Sequence, residues 1–143
     1  MKLIDSNVWL ALALAGHEHH KTANQWLSSQ TEIDSLAFCR LTQLTFLRLL
    51  TTKVVLNFYG VPPLKNDQAL DVYKGFLLDA RICFINEPSQ IQEYWFGLTS
   101  DSTSSPKLWM DANLAAFAIA GGYELVTLDR AFIQFAGLNL VVL

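Results

Sequence analysis

Three carboxylates stand where apolar stretches stop: Asp5 after Leu3-Ile4, Asp111 at the head of the run Ala112 to Ala120, and Asp129 after Leu125-Val126-Thr127-Leu128. A carboxylate at the exit of a buried strand, or at the mouth of a buried helix, lies near the rim of the core. If the strands are parallel, their carboxyl ends share one edge of the sheet, where open α/β folds place ligands. Acids gathered there repel one another and hold protons unless a cation joins them, and an all-oxygen site suits Mg2+ or Mn2+. Such an ion carries charge on phosphoryl oxygens and activates water, so the placement points to phosphoryl chemistry.

Strand-like and helix-like segments alternate along the chain. Lys2 to Ile4 reads as a buried strand, Asp5-Ser6-Asn7 as a turn rich in capping side chains, and Val8 to Leu14 as a short apolar helix. A second helix is expected after His17-Glu18-His19-His20, reaching about Leu27, followed by a strand at Ile33 to Leu36. Leu41, Leu44, Leu47 and Leu50 predict the apolar stripe of a third helix. Pro62-Pro63 ends an irregular connection, and Asn66 caps a helix to about Leu78. Ile82 to Ile85 reads as a strand, and Ser89 and Gln92 have capping-box spacing for the next helix. The polar stretch Thr99 to Pro106 is expected to be a mobile loop. Ala112 to Ala120, apolar nearly all round and ended by Gly121-Gly122, predicts the most buried helix. Strands at Glu124 to Leu128 and Leu140 to Leu143 complete the alternation, which argues for an α/β fold with a parallel sheet and helices on both faces. One domain is expected over residues 1–143.

Hydrophobic residues make up 52% of the chain and charged ones only 16%, so a large core is available and some apolar surface is left for partners. The formal net charge of -3 supplies no overall basic field for nucleic acid, so a polynucleotide would need metal ions and a local basic patch. Cys39 and Cys83 have neither disulfide-framework nor zinc spacing and read as buried thiols of a reducing compartment. The apolar run Val8 to Ala15 is much shorter than the roughly 20 residues of a membrane span. A cytoplasmic protein with no membrane segment is expected.

The stretches Leu3-Ile4-Asp5-Ser6-Asn7-Val8-Trp9, Trp109-Met110-Asp111-Ala112-Asn113-Leu114-Ala115-Ala116 and Leu125-Val126-Thr127-Leu128-Asp129-Arg130-Ala131-Phe132, with Cys39 to Thr51 between them, resemble the PIN-domain ribonucleases, and within them the VapC-type toxins. The resemblance covers essentially the whole chain. It implies a three-layer α/β/α sandwich with a mainly parallel sheet and an endoribonuclease that hydrolyses RNA phosphodiester bonds with water activated by Mg2+ or Mn2+. It also implies a cognate VapB-like antitoxin that blocks the site. Asp5, Asp111 and Asp129 match the family's metal-binding, catalytic acids, Thr127 its hydroxyl beside the last, and Asn7 the polar residue after the first. The family's glutamate on the third helix is matched to Gln43, a neutral amide expected to orient water or ligands with Asn7 and Thr127. That substitution puts a second metal ion in doubt.

Arg130, Lys107 and Arg40 are the candidate RNA contacts, with Arg48 beside them, although each residue type is more often a solvated surface group. His17, His19 and His20 are read as solvated, since no further soft ligand is near. Trp9, Trp26 and Trp109 are read as core or as part of a partner groove. A homodimer is expected, together with an antitoxin groove walled by the first three helices. Two other functions fit parts of the chain. Asp5-Ser6-Asn7-Val8 is similar to the nucleophile motif of haloacid-dehalogenase-type phosphatases, but Asn7 stands where their second acid belongs. A PIN-like binding module weakened by Gln43 is the non-enzymatic alternative.

Overall fold

The computed structural model describes residues 1–100 and 104–143. Five strands, β1 (Lys2–Ile4), β2 (Leu36–Phe38), β3 (Ile82–Phe84), β4 (Glu124–Thr127) and β5 (Leu140–Val142), form one sheet in the order β3-β2-β1-β4-β5, every neighbouring pair parallel. From β1 the chain builds outward to β2 and β3, then returns to the other side of β1 for β4 and β5. The switch point therefore lies between β1 and β4, the place where parallel sheets open a crevice at their carboxyl edge.

Alternate side chains of the central strands feed two cores. Ile4, Leu36, Phe38 and Val126 face α1 (Ser6–Ala13), α2 (His20–Ser28), α3 (Arg40–Leu50), α4 (Lys53–Phe58) and α5 (Asn66–Phe76). Leu3 and Leu125 face α6 (Ile91–Thr99), α7 (Leu108–Gly121) and the 3-10 turn Arg130–Gln134. The period-2 alternation of a strand thus makes the three-layer sandwich. Trp9 anchors the first core, wholly buried and stacked on Phe38 at 4.0 Å between ring centroids.

Several local expectations are corrected. The second strand begins at Leu36, later than expected, because Asp34 takes a left-handed conformation (φ 50°) that breaks extended backbone, and Ile33 is left exposed. The leucine stripe of α3 is not its buried face. Residues three apart fall back about 60° per step on a helix of 3.6 residues per turn, so the stripe winds around it. Thr42, Phe46 and Leu50, four apart, face inward, while Leu44 is 58% exposed. The connection before Pro62 contains α4, unexpected because Lys53 to Phe58 is only six residues long. The helix after Pro88 starts at Ile91 without a side-chain cap from Ser89. Of the stretch Thr99 to Pro106, residues 101–103 lie outside the described residues; Thr99 closes α6.

The helix expected from Ala112 begins four residues earlier, so Asp111 sits inside its first turn and not at its cap. A carboxylate there is favoured by the helix dipole. Ala112 and Leu114 to Ala118 are buried, and Gly122 closes the helix in the left-handed region (φ 64°), a position that favours glycine. His17 is also corrected: it is buried, its ring stacked on Tyr59 at 4.6 Å, and His20 Nδ1 lies 2.7 Å from the Ala11 carbonyl. Cys39 is buried and Cys83 half-buried, both as free thiols. Trp9 is core, whereas Trp109 is half exposed. Val8 to Leu12 of α1 are all buried, so of the three helices expected to wall an antitoxin groove this one offers little apolar surface. Exposed apolar side chains lie on α3 to α5 at Leu44, Val54, Phe58 and Leu70, and on α6 and α7 at Tyr94, Phe96, Trp109 and Met110.

Candidate active site

Asp5 leaves β1 and Asp129 lies two residues beyond the end of β4, so the two carboxylates flank the switch point. Asp111 reaches the same region from the first turn of α7. Asp5 and Asp111 line a pocket of about 300 Å3 together with Ser6, Thr42, Thr45 and Arg48.

Asp5 is held at both oxygens. Its Oδ2 accepts from Thr127 Oγ1 at 2.7 Å and from Asn7 Nδ2 at 2.8 Å, and its Oδ1 accepts from Ser6 Oγ at 3.1 Å. Asn7 is itself fixed, since its Oδ1 accepts the Leu128 N–H at 3.1 Å and its Nδ2 also reaches Thr127 Oγ1 at 3.0 Å. Thr127 Oγ1 accepts the Asp129 N–H at 3.0 Å, so one buried hydroxyl ties the first acid to the backbone of the last. Burial pushes the Asp5 carboxyl above the ordinary carboxylate value, against the lowering effect of the Thr127 and Ser6 hydrogen bonds.

The other two acids share a cation. Lys107 Nζ donates to Asp129 Oδ2 at 3.1 Å and lies 3.8 Å from Asp111 Oδ2. The hydrogen bond to Asp129, then the charge of Asp111, holds Lys107 above the usual lysine value. Asp129 is held below the carboxylate range first by the Ala131 N–H at 2.8 Å and then by Lys107. Asp111 is raised by burial, which outweighs the pull of Lys107.

Thus Asp5, Asp111, Asp129, Asn7, Thr127 and Lys107 are brought together. Gln43 is not. Its Oε1 accepts from Arg40 Nη1 at 2.6 Å beside Tyr73, and the pocket-facing side chains of α3 are Thr42, Thr45 and Arg48. One residue turns a helix by about 100°, which is enough to carry Gln43 off the face that Thr42 presents. Gln43 therefore lies away from the acids beside which it was expected to orient water. Arg40 is likewise turned away, its guanidinium 5.0 Å from the centroid of the Phe84 ring. Arg130 is exposed at the start of the 3-10 turn, next to Asp129. Ser6, Thr42 and Thr45 are site residues that sequence reasoning missed. A helical wheel through Arg48 would have placed Thr45 with it.

The donor chemistry fits a hard divalent cation: two carboxylates, Asp5 and Asp111, and three hydroxyls line the pocket, Asp129 is joined to it through Lys107, and no cysteine or histidine is in the lining. Asp5 is the clearest sign, a carboxylate only 8% exposed with no cation at ion-pair distance among the described residues. In their present positions no three His, Cys, Asp or Glu side chains among the described residues form a group that could hold a metal ion, so Lys107 must yield and the carboxylates must draw together for all three to ligate.

A parallel α/β/α sandwich with acids around its switch point defines the class of protein. The PIN domain family model matches residues 2–138, and the chain belongs to that family. It is 47% identical over 144 residues to Ribonuclease VapC41 of Mycobacterium tuberculosis, covering 100% of this chain and 99% of that one. Two solved structures share the fold at 16% identity and a TM-score of 0.67. VapBC2 from Rickettsia felis, solved with a DNA fragment from its promoter, covers 99% of this chain and 97% of its own. Mycobacterium tuberculosis VapC20, described as a Sarcin-Ricin loop cleaving toxin, covers 96% and 98%. The family replaces the phosphatase alternative, in keeping with Asn7, whose amide is spent on Asp5, Thr127 and Leu128 and carries no acidic proton.

Proposed function

We propose that this protein is a metal-dependent endoribonuclease, the toxin of a toxin–antitoxin pair, with Asp5, Asp111 and Asp129 as the acids that hold Mg2+ or Mn2+. The observation that carries the reading is the buried, rigidly held Asp5 carboxylate at the switch point, facing a pocket that Asp111 also lines. Full-length similarity to a named ribonuclease supports the substrate class.

A divalent cation in such a site neutralises charge on the phosphoryl oxygens and makes water a competent nucleophile near neutral pH. The chain's own residues prepare for it. Thr127, Asn7 and Ser6 fix the Asp5 oxygens in place before any ligand arrives, so the rearrangement that metal binding requires falls on Lys107, Asp111 and Asp129. Asp129 is oriented by the Ala131 N–H, and Asp111 by its place in the first turn of α7. Arg48 on the pocket wall and the exposed Arg130 next to Asp129 are the cations this reading assigns to RNA phosphates, a local answer to the net charge of -3. The weakened binding module has no observation in its favour, because the neutral Gln43 lies outside the site and the acids keep their supports.

The partners in this reading are RNA, a VapB-like antitoxin and a second copy of the chain. Leu44, Phe58 and Leu70 on α3 to α5 give the antitoxin an apolar surface, and Trp109 and Met110 on α7 suit the homodimer. The protein acts in the cytoplasm in this reading; no helix among the described residues is long and apolar enough to cross a membrane. Induced expression in a bacterial host tests the reading. Growth should stop with the parent chain and continue with Asp5→Asn at equal soluble yield. Equal growth arrest by both would refute the assignment of Asp5.

A further inference from the structure

Lys107 stands between two of the three acids. Its ammonium is 3.1 Å from Asp129 Oδ2 and 3.8 Å from Asp111 Oδ2, while Asp5 has no cation at ion-pair distance among the described residues. The residue precedes α7 directly, and its side chain lines the pocket, so it approaches the acids from the substrate side and not from the protein interior. Asp111 and Asp129 raise each other's energy when both are ionised, and one ammonium between them relieves that repulsion without a metal. The Lys107 side chain is 73% exposed. An ion pair so open to water is weak, and a flexible ammonium stem leaves it easily.

We propose that Lys107 is a tethered counter-ion that holds the Asp111–Asp129 half of the site in the metal-free protein and that a divalent cation displaces to reach those carboxylates. The inference rests on the metal-dependent reading above and adds a consequence to it: the chain binds metal more weakly than its acids alone permit. Loading the site also releases one ammonium at the pocket rim. Lys107 becomes available to an RNA phosphate only then.

Calorimetric titration of Mn2+ into the parent, Lys107→Gln, Lys107→Arg and Arg130→Gln tests the proposal without any activity measurement. Lys107→Gln should bind Mn2+ about two- to fivefold more tightly, the scale of an exposed ion pair. Lys107→Arg, which keeps the charge, should stay near the parent. Arg130→Gln, which removes an exposed cation next to Asp129 in sequence, should shift the affinity less than Lys107→Gln. In EDTA, Lys107→Gln should unfold at lower temperature than the parent, and saturating Mn2+ should narrow that gap. An unchanged or weaker affinity in Lys107→Gln overturns the proposal while leaving the metal site intact. Equal tightening by Lys107→Gln and Arg130→Gln also overturns it, since the effect would then belong to the general field. Failure of every variant to bind Mn2+ overturns both this inference and the metal-dependent reading.

Discussion

Thr127 Oγ1 lies 2.7 Å from Asp5 Oδ2 and receives the Asp129 N–H at 3.0 Å, so a single hydroxyl on β4 aligns the carboxylate that leaves β1. The hydroxyl is fully buried, and Asn7 closes the same ring of hydrogen bonds. Thr127→Val keeps the shape and removes the bonds. It should cost about 1–3 kcal/mol of stability, the usual penalty for stranding a buried polar partner. RNA cleavage should fall about 10- to 100-fold, as when a group supporting a metal ligand is lost. Thr127→Ser should recover most of both, and denaturant titration with a cleavage assay would read the two effects separately.

Asp5→Asn should stabilise the metal-free protein. Burial raises the Asp5 pKa above its unfolded value, so the native state binds more protons than the unfolded chain in the interval between the two. Stability from this group therefore falls as pH rises through that interval, and at neutral pH the charged form is a cost. Asn keeps an oxygen toward Thr127 and Asn7, while its NH2 can donate to the Ser6 hydroxyl. Melting in EDTA at pH 7 should show the variant above the parent. A lower melting temperature would count against a desolvated anion.

His17 supplies a pH dependence remote from the acids. Burial first, then the neighbouring His19, lowers its pKa below the ordinary imidazole value, and its Nδ1 accepts the His19 N–H at 3.1 Å, which requires an unprotonated nitrogen. The unfolded chain thus binds more protons than the native one between the folded pKa and about 6.5. Stability is present above that window and lost as pH falls through it. His17→Phe keeps an aromatic ring on Tyr59 and removes the titration. Its melting temperature should change less between pH 7 and pH 5 than that of the parent.

Gln43→Glu should leave metal affinity unchanged. The side chain bonds Arg40 outside the pocket, so a carboxylate there gains an ion pair with Arg40 and adds no charge to the site. Calorimetry with Mn2+ on parent and variant decides this, and a clear tightening would return Gln43 to the site.

The sandwich and its acids were readable because each rests on a local signal. Leu3-Ile4 and Leu125-Val126 alternate between the two cores, Asp5 follows β1 directly, and Asp129 follows β4 after the intervening Leu128. The α3 face was not readable from its leucines, because a period of three drifts around a helix and because Thr42, a polar residue, is buried by accepting the Cys39 N–H at 3.0 Å. That same drift hid Thr45 and misplaced Gln43. Lys107 could be named as a cation near the site, yet its position between Asp111 and Asp129 depends on β4 and α7 meeting in space, a contact between residues 22 apart in sequence that no pattern specifies.

The central claim is that three acids on the carboxyl edge of the sheet make a metal-dependent ribonuclease, and cleavage of a labelled RNA tests it most directly. The purified protein should be stripped with EDTA, dialysed, and assayed with and without added Mg2+ or Mn2+, beside Asp5→Asn and Asp129→Asn prepared in the same way. The parent should be inactive until the cation is returned and then cleave, whereas both variants should stay inactive at every metal concentration. Cleavage by the parent in excess EDTA, or full activity in either variant, would contradict the claim.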